Sequence, residues 1–403
     1  MKQEFSKEAL NSVIFLLGDE ETAAAMRELP AREPFDEETL EFFDTVSAGL
    51  RKHQLARSYP DVATLGFWLR KAALLQMRKR FVEPDGNLRL GRGTVFHIAP
   101  SNVPVNYAYS LAAGALMGNA NIVRLPSKDF PQVGIINRVL SDALEQYPAM
   151  RPYFCLVRYG RDKAVNDCFS SIADVRIIWG GDETIAELRK SPLPPRSSEI
   201  TFADRFSFAV IDSDAYLSAD RDAVIARDFY NDTYLSDQNA CTSPHLVVWT
   251  GTRREQAKSR FWSALHELVS REYRFQPIMG VNKLTNAFLS AATLDGARVE
   301  PHEDNSLIRI SISVPSRELI TLRNNSGFFF EFDCDDLMTL KEICADNRCQ
   351  TLSYFGEKEK LIPLLKSGIK GVDRVVPIGH TMDFSLFWDG YNLGERLTRT
   401  IVI

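Results

Sequence analysis

Apolar and polar residues alternate in two different rhythms in the part of the chain that follows Gly91. Short apolar runs predict buried strands, and the longer segments between them repeat apolar residues at helical spacing. The predicted strands of this first block are Thr94–Ala99, Asn121–Leu125, Tyr153–Tyr159, Val175–Trp179 and Phe206–Ile211. Its two clearest helices are Val105–Met117 and Val133–Leu144. Strands that alternate with helices in this way predict βαβ units and a mostly parallel sheet.

A second α/β block has the same texture. Its predicted strands are His245–Thr250, Ile308–Val314, Phe328–Phe332, Thr351–Phe355 and Val372–Ile378, and its predicted helices are Arg253–Tyr273 and Asp335–Ala345. We place the boundary between the blocks near Ser213–Leu217, which predicts a first domain over residues 1–213 and a second over residues 214–375. Residues 1–88 of the first domain show helical periodicity.

Residues 376–403 form a predicted C-terminal tail that ends on the apolar run Thr400–Ile403. A strand-like segment after the last α/β unit predicts a strand that leaves the body to pair elsewhere. A partner subunit is the expected place, so we expect a homo-oligomer.

The composition is that of a globular protein, with 45% hydrophobic and 25% charged residues among 403. A net charge of −5 without a run of basic residues argues against a nucleic-acid partner. The first 25 residues contain only the short apolar run Val13–Leu17, which predicts neither a signal peptide nor a membrane span.

Six cysteines are scattered through the chain, with no CxxC pair. A disulfide framework is not expected at this size without a secretion signal, so reduced thiols and a cytoplasmic location are predicted. The histidines are isolated, with no HExxH motif and no His/Cys cluster at ligand spacing. No metal site is predicted.

Candidate chemistry begins at the end of the first predicted strand, in the segment IAPSNVP (98–104). Ser101 or Asn102 is expected to cap the helix that begins near Pro104, because both are good N-cap residues and proline suits a first turn. A capped turn without a ligand is the simplest interpretation. The location at the carboxyl end of a parallel strand, where open α/β folds bind their ligands, favours a binding turn.

Two further strand ends carry candidate ligand groups. The segment RLPSK (124–128) offers two cations and a hydroxyl, although a solvated turn would have the same composition. The segment WGGD (179–182) is a glycine turn that lets backbone approach a ligand and offers helix N–H groups to an anion. It lacks the GxGxxG spacing, so by itself it does not specify a dinucleotide.

The segment DQNACTSPH (237–245) places Cys241 in a polar, small-residue loop directly before a buried strand. A core cysteine would lie within an apolar run, as Cys155 does. A reactive thiol is therefore one interpretation of Cys241, and an ordinary structural cysteine is the other.

Taken in order, these four segments resemble the aldehyde-dehydrogenase superfamily, which carries an Asn–aromatic–Pro turn, a Lys-Pro-Ser-Glu strand end, a glycine turn and a cysteine loop. Asn102 and Cys241 match the two functional residues at the superfamily's spacing. Within the superfamily the sequence is most similar to the LuxC-like acyl-CoA reductases, the fatty acid reductases of bacterial bioluminescence and their relatives. The resemblance covers about residues 90–395 and is carried by three runs, GRGTVFHIAPSNVPVNYAYSLAAGALMGNANIVRLPSKD (91–129), DQNACTSP (237–244) and RVVPIGHTMDFSLFWDGYNL (374–393).

The resemblance implies an aldehyde-dehydrogenase-like α/β fold, with a Rossmann-type coenzyme domain, an α/β catalytic domain and the C-terminal tail. It implies that Cys241 attacks an acyl thioester, and that the Asn102 amide and the Cys241 backbone N–H stabilise the oxyanion. The acyl donor is expected to be acyl-CoA or an acylated partner protein, such as an acyl-protein synthetase. The implied coenzyme-binding residues are Ile98, Ala99, Pro100, Ser101, Arg124, Pro126, Ser127, Lys128, Gly180 and Gly181.

Two departures from ordinary aldehyde dehydrogenases bear on the reaction. Thr201 stands where those enzymes have the glutamate that activates the hydrolytic water, and no Glu lies between positions 200 and 216. Losing that base would slow hydrolysis of a thioacyl-enzyme by ~10²–10⁴, which suits a reductase. At the second strand end, Leu125 replaces the superfamily's Lys and Lys128 replaces its Glu. Lys128, with Arg124 or Ser127, favours a 2′-phosphate, so NADPH is expected, with NADH left open.

Three alternatives stay open at this point: an NAD-linked aldehyde oxidiser, a non-catalytic acyl-holding subunit of a multienzyme reductase, and a reductase of acyl phosphates. A further question concerns the phenylalanines that could line an acyl tunnel, which are Phe202, Phe206, Phe208 and Phe328–Phe330. Packing in two hydrophobic cores is the favoured interpretation of these residues.

Overall fold

The structure is a computed structural model that describes residues 5–81, 87–301 and 303–403, and the chain divides into two compact units. The first unit extends to Ala203 and takes up the chain again at Ser385. The second extends from Asp204 to Phe384. The predicted first domain ended at residue 213, but the strand Phe206–Asp212 pairs within the sheet of the second unit.

The first unit is built on one sheet that is parallel except at one edge. Its strands are β1 (Ile14–Leu17), β3 (Thr94–Ile98), β4 (Ala120–Arg124), β5 (Phe154–Arg158), β6 (Val175–Trp179) and β7 (Ser198–Phe202). Their order is β1-β5-β4-β3-β6-β7, and only β1 runs antiparallel to its neighbour. From β3 the chain adds β4 and β5 on one side and β6 and β7 on the other. The carboxyl ends of β3 and β6 therefore form a topological switch point, where open α/β sheets bind their ligands.

The rest of the first unit consists mainly of helices. They are α1 (Glu20–Ala25), α2 (Glu37–Lys52), α3 (Pro60–Trp68), α4 (Lys71–Phe81), α5 (Asn106–Leu116), α6 (Pro131–Gln146), α7 (Lys163–Ile172), α8 (Asp182–Leu188) and α16 (Leu393–Arg396), with 3-10 turns at Lys7–Leu10, Met26–Glu28, Gln54–Ser58 and Arg151–Tyr153. In α6 a proline starts the helix, and Val133, Ile136 and Leu140 are buried on one face. Helix α5 lies very close to the sheet, because a Cβ at Gly114 would be 2.0 Å from Asn121 Oδ1.

A chain of hydrogen bonds crosses the core of the first unit. The Trp179 indole N–H donates to the Ser110 hydroxyl at 3.1 Å, and that hydroxyl lies 2.8 Å from His97 Nδ1. His97 Nε2 lies 3.0 Å from Asn121 Oδ1, and the Asn121 amide nitrogen donates to the Asn119 carbonyl. Because Asn121 Oδ1 can only accept, we assign the His97 proton to Nε2. Burial lowers the pKa of His97 to about 4.

The second unit contains a second, larger sheet. Its strands are β8 (Phe206–Asp212), β9 (Pro244–Thr250), β10 (Arg298–Val299), β11 (Ile308–Ser311), β12 (Phe328–Asp333), β13 (Cys349–Phe355) and β14 (Arg374–Pro377). Their order is β10-β11-β12-β9-β8-β13-β14, and every pair except β10 with β11 is parallel. Alternate residues of each strand face opposite cores: Phe328 and Phe330 belong to one cluster and Phe329 to the other.

The remaining elements of the second unit flank this sheet. They are α9 (Ser213–Ala219), α10 (Asp222–Asp232), α11 (Arg254–Glu272), α12 (Pro277–Thr293), α13 (Glu318–Leu322), α14 (Lys341–Cys344) and α15 (Ile362–Leu365), with 3-10 turns at Tyr234–Ser236, Leu337–Leu340 and Lys358–Leu361. The single helix predicted over Asp335–Ala345 is instead a 3-10 turn followed by α14. The Asp336 side chain accepts from Met338 N and so starts the tighter turn.

The suggested phenylalanine tunnel is not formed. Phe206 and Phe208 are fully buried in the same core cluster as Phe328. Phe202 lies in the first unit, where its ring stacks on Trp179 at 3.8 Å between centroids. These residues support their sheets, as the favoured interpretation holds.

The part of the predicted C-terminal tail from Ser385 onward belongs to the first unit, whereas residues 376–384 belong to the second. The part from Ser385 onward contains the short hairpin β15 (Phe387–Trp388) and β16 (Tyr391–Asn392), followed by β17 (Thr398–Ile401). Strand β17 pairs antiparallel with β2 (Leu88–Gly91) of the same chain, which corrects the prediction of a strand that leaves the body. The Asn119 side chain donates to the Leu397 carbonyl and fixes the start of this pairing.

The structure also bears on two expected absences. Among the described residues, no helix combines the length and the apolar character needed to cross a bilayer. Within the same residues, His, Cys, Asp and Glu side chains do not come together in a group that could hold a metal ion.

Acidification should destabilise the protein in part through His97. The folded protein keeps this imidazole neutral down to about pH 4, whereas the unfolded chain binds the proton near pH 6.5. Stability that is present above pH 6.5 is therefore lost as the pH falls towards 4. Urea unfolding of wild type and His97→Asn at several pH values measures this. Between pH 6.5 and 4 the urea midpoint of the wild type should fall further than that of His97→Asn, and equal decreases would contradict the prediction.

Candidate active-site residues

The predicted coenzyme residues lie along one edge of the first sheet, at the carboxyl ends of β3, β4 and β6. Ile98 is buried at the end of β3, and Ala99 N donates to the Arg124 carbonyl at 3.0 Å. The turn then emerges: Pro100 is half-buried, and Ser101 is exposed. The sheet therefore brings the three predicted strand ends together as the βαβ pattern requires.

The turn after β3 is longer than predicted. Helix α5 begins at Asn106, and Val105 occupies its N-cap position without a side-chain cap. Ser101 and Asn102 therefore do not cap this helix, and both are exposed. The Asn106 Oδ1 atom at the head of α5 is buried and has no protein partner. A buried acceptor of this kind fits a ligand that brings a donor, such as a ribose hydroxyl.

The glycine turn after β6 has room for a ligand but disfavours an anion. Gly180 N donates to the Phe202 carbonyl, and a Cβ at Gly181 would meet nothing within 4 Å. Asp182 and Glu183 occupy the first turn of α8. Their negative charges oppose an anion at this helix N-terminus, so the phosphate role suggested for its N–H groups is not supported.

The end of β4 carries a group of cations. The Arg124 guanidinium donates to the Gly160 carbonyl at 2.8 Å and lies over the Tyr159 ring. Ser127 and Lys128 are exposed, whereas Leu125 and Pro126 are buried.

Sequence analysis missed a third cation at this edge, Arg158. It ends β5, lies 3.5 Å from Asp129, and has a buried Nε without a protein partner. Its place near the end of the predicted strand Tyr153–Tyr159 was the signal in the sequence that could have identified it. With Lys128 exposed beside Asp129, this end of the sheet fits a phosphate-bearing ligand.

The six cysteines differ sharply in exposure. Cys241 is half-buried, whereas Cys155, Cys168, Cys334, Cys344 and Cys349 are buried. Burial raises the pKa of Cys155 to about 12 and that of Cys168 to about 11. Protonated, buried thiols are poor nucleophiles. Cys241 is thus the cysteine that a reagent or substrate can reach.

The loop before Cys241 has an unusual backbone. After the 3-10 turn Tyr234–Ser236, Asp237 and Gln238 both have φ of 54°, in the left-handed region. Residues with a Cβ adopt this conformation at a cost of about 1–3 kcal/mol each. The chain then reaches Cys241 and enters β9.

The buried side chain of Gln238 holds this loop. Its Nε2 donates to the Pro244 and Phe328 carbonyls at 3.1 and 3.2 Å. Its Oε1 accepts from Gly327 N and Phe328 N at 2.6 and 3.0 Å. The amide therefore makes all four hydrogen bonds available to it, and it ties the loop to the starts of β9 and β12.

A second set of contacts fixes Cys241 from the other side. The buried Ser207 hydroxyl donates to the Cys241 carbonyl at 2.7 Å and accepts from Thr351 N at 3.2 Å. The next residue, Thr242, contacts the Met382 sulfur through its hydroxyl at 3.4 Å. Strands β8 and β13 and the segment after β14 thus meet at Cys241.

A buried lysine supports the same loop. Lys283 of α12 donates to the Ser326 carbonyl at 2.6 Å, and Ser326 N donates to the Asp237 carbonyl at 3.1 Å. Burial lowers the pKa of Lys283 to about 7. The roles of Lys283 and Ser207 were not predicted, because nothing in their local sequence distinguishes them, whereas Gln238 lies in the segment that identified Cys241 but was given no role of its own.

Glu199 is the acid nearest in sequence to Thr201, and it is held in ion pairs. Thr201 lies in β7, and Glu199 of the same strand pairs with Arg176 and Arg189 at 2.5 and 2.7 Å. Arg176 is itself buried. Both carboxylate oxygens of Glu199 are thus bound by guanidinium groups, so Glu199 is not available to replace the absent glutamate.

Comparison with known proteins places this arrangement in context. The long-chain acyl-protein thioester reductases of Vibrio harveyi and Aliivibrio fischeri are 22% and 25% identical to the chain over 298 and 295 residues, 72% of this chain in each case. The chain spans 59% and 58% of the lengths of those two relatives. The fold is similar to that of aldehyde dehydrogenase 21 from Physcomitrella patens, with a TM-score of 0.68, 14% identity, and coverage of 95% of this chain and 88% of that one.

Lactaldehyde dehydrogenase from Escherichia coli has the same fold, with a TM-score of 0.63, 14% identity, and the same coverage of 95% and 88%. The predicted aldehyde-dehydrogenase-like α/β fold is therefore confirmed. The model of the LuxC family, described as acyl-CoA reductase (LuxC), matches residues 10–292. The chain accordingly belongs to the LuxC acyl-CoA reductase family.

Proposed function

We propose that the protein reduces an acyl thioester to an aldehyde through a thioacyl intermediate on Cys241. The observation that carries the proposal is the contrast between Cys241 and the other thiols. Cys241 is half-buried in a loop held by Gln238 and Ser207, whereas the other five cysteines are buried. A fixed, reachable thiol beside a strand end is what acyl transfer needs.

In the first step the Cys241 thiolate attacks the acyl carbonyl and the carbonyl oxygen becomes negative. We assign the Asn102 side-chain amide and the Cys241 backbone N–H to this oxyanion, where one donor is worth ~2.7–4 kcal/mol. The exposed amide of Asn102 is not a helix cap, which supports this assignment. Collapse of the intermediate expels the carrier thiolate, which takes up a proton, and leaves the acyl group on Cys241.

The acyl group on Cys241 must avoid hydrolysis. The superfamily's water-activating glutamate is replaced by Thr201, and Glu199 is held by two arginines. A water molecule therefore meets no general base from β7. This favours reduction of the thioester over release of an acid, and it disfavours an aldehyde oxidiser.

The carboxyl edge of the first sheet fits a nicotinamide dinucleotide. The buried acceptor of Asn106, the open turn at Gly181 and the cations at the ends of β4 and β5 suit ribose and phosphate groups. Lys128 and Arg158 would hold a 2′-phosphate, so we propose NADPH. The bound coenzyme supplies the hydride that reduces the thioester and allows release of the aldehyde from Cys241.

The acyl carrier is proposed from the relatives. Their names describe acyl-protein thioesters as substrates. We propose that this chain accepts its acyl group from acyl-CoA or from an acylated partner protein. In either case the leaving group is a thiol, and the attacking group is the thiol of Cys241, so the first step is an exchange between two sulfurs.

The decisive experiment offers the purified protein a series of acyl-CoA esters with NADPH or NADH and follows coenzyme absorbance. Coenzyme oxidation with release of aldehyde supports the proposal. Acyl transfer to Cys241 without coenzyme use would show an acyl-holding protein instead. No acyl transfer from any thioester would contradict the proposed function.

Cys241→Ser should abolish both acylation and reduction, because an alcohol at neutral pH is far less nucleophilic than a thiolate. Labelled acyl-CoA followed by mass spectrometry should place the label on Cys241 in the wild type. Cys334→Ser is the matched control, since Cys334 is buried in the same unit. Retention of label at another cysteine in Cys241→Ser would reject the assignment.

Asn102→Ala should lower kcat by about 10²-fold, the usual cost of one lost oxyanion donor, with little effect on coenzyme affinity. Asn11→Ala, which removes an exposed asparagine amide at the end of the 3-10 turn Lys7–Leu10, serves as the control and should keep most of its turnover. Steady-state kinetics and coenzyme titration measure the two effects. A variant with turnover within a few-fold of wild type would remove Asn102 from the mechanism.

NADPH should be preferred over NADH by about ten- to hundredfold in kcat/KM, because hydrogen bonds to a charged phosphate are worth ~1.5–3 kcal/mol. Lys128→Glu should shift the preference towards NADH by placing an acid beside the ribose. Lys163→Glu, a charge reversal at the exposed first residue of α7, controls for the change in net charge. Equal use of both coenzymes by the wild type, or no shift in Lys128→Glu, would count against the claim.

A further inference from the structure

The segment between β14 and Ser385 forms a clamped loop, residues 379–383, beside Cys241. Arg374 of β14 donates to the carbonyls of His380, Thr381 and Asp383 at 2.8, 2.9 and 2.7 Å. Met382 in the same loop contacts the hydroxyl of Thr242, the neighbour of Cys241. One guanidinium therefore gathers the carbonyls of a loop that lies against the residue next to the thiol.

An acid clamps the same loop from α10. The buried Asp232 carboxylate accepts from Gly379 N at 2.7 Å and from Thr381 N at 3.0 Å. Burial raises the pKa of Asp232 to about 7. The loop thus lies between a half-buried cation that binds its carbonyls and a buried acid that binds its amides.

Charge interactions connect this clamp with Cys241. Burial lowers the pKa of Arg374, while the charges of Asp383, Asp232 and Cys241 raise it. The strands agree with this proximity, because Arg374 is paired with Thr351, whose N–H donates to the Ser207 hydroxyl that binds the Cys241 carbonyl.

Other titratable groups around the loop have different roles. His380 hydrogen-bonds to Asp383 on the exposed side at 2.7 Å. His245 of β9 is buried and its pKa is lowered to about 3, so it is neutral near the thiol's working pH. Arg374 is thus the cation among these groups that binds the carbonyls of the loop.

We propose that Arg374 is a positioning residue that stabilises the Cys241 thiolate through its positive charge and holds loop 379–383 beside it, with Asp232 as the opposing acid. The proposal rests on the proposed function only in taking Cys241 as the nucleophile. A thiolate beside a cation forms at lower pH, so acyl transfer can proceed without a general base next to the sulfur. Ionised Asp232 reduces the effect, which sets an upper limit on thiol activation.

The test measures the pH dependence of iodoacetamide alkylation of Cys241 in the purified protein. Because the other five cysteines are buried, Cys241→Ser provides the blank. Arg374→Gln should raise the midpoint of alkylation by about one pH unit, the lower end of the ~1–3 units that a nearby opposite charge produces. Arg374→Lys should stay near the wild type. Arg298→Gln, with an exposed side chain on β10, is the charge-matched control and should not shift the midpoint.

Asp232→Asn distinguishes electrostatics from a structural role. Both Asp232→Asn and Arg374→Gln weaken the clamp on the loop, but they remove charges of opposite sign. The midpoint should fall in Asp232→Asn and rise in Arg374→Gln. Shifts in the same direction, or an unchanged midpoint in Arg374→Gln, would overturn the proposal. If Arg374→Gln does not fold, an alkylation midpoint that fails to fall in Asp232→Asn would likewise overturn the proposal. Alkylation needs neither acyl donor nor coenzyme, so a failed reductase assay would leave this test intact.

Discussion

The Gln238 side-chain amide replaces backbone pairing at the point where the chain turns into β9. Two left-handed residues in succession cost about 2–6 kcal/mol together. Four hydrogen bonds of about 0.5–1.5 kcal/mol each offset a cost of that size. The conformation of the loop therefore depends on the edges of β9 and β12 that Gln238 bridges. The position of Cys241 therefore depends in part on the hydrogen bond from the Gln238 side chain to the Phe328 carbonyl.

The same principle of buried polar pairing operates in the first unit. There the chain from Trp179 through Ser110 and His97 to Asn121 links β6, α5, β3 and β4. These are the elements whose ends form the proposed coenzyme edge. A buried network in which each group has a partner fixes a unique arrangement of the elements it joins. In both units, polar side chains inside the core therefore hold the residues that the proposed chemistry uses.

The sequence predicted the central strands well because they are short runs in which apolar residues dominate, as in Val175–Trp179. It missed β7 (Ser198–Phe202), whose polar residues interrupt the apolar pattern, and α12, which exposes Ile278, Val281 and Phe288. Local rules also mispredicted the cap of α5, since the turn is longer than its motif suggests.

The candidate site could be predicted only in part. Cys241 and Asn102 stand in distinctive local segments, so their neighbours in the sequence identify them. Asp232 and Arg374 do not, because their roles arise from contacts with a loop that packing brings to them. Asp232 binds Gly379 across 147 residues of chain. No local pattern carries that information.

The pairing of β2 with β17 has a consequence for biosynthesis. The second unit is continuous in the chain, whereas the first is split by it and regains its last strand only after Ser385. A ribosome therefore delivers every residue of the second unit before it delivers β17. Because domains fold as units during synthesis, the nascent chain can complete the sheet of the second unit before β17 is available to pair with β2.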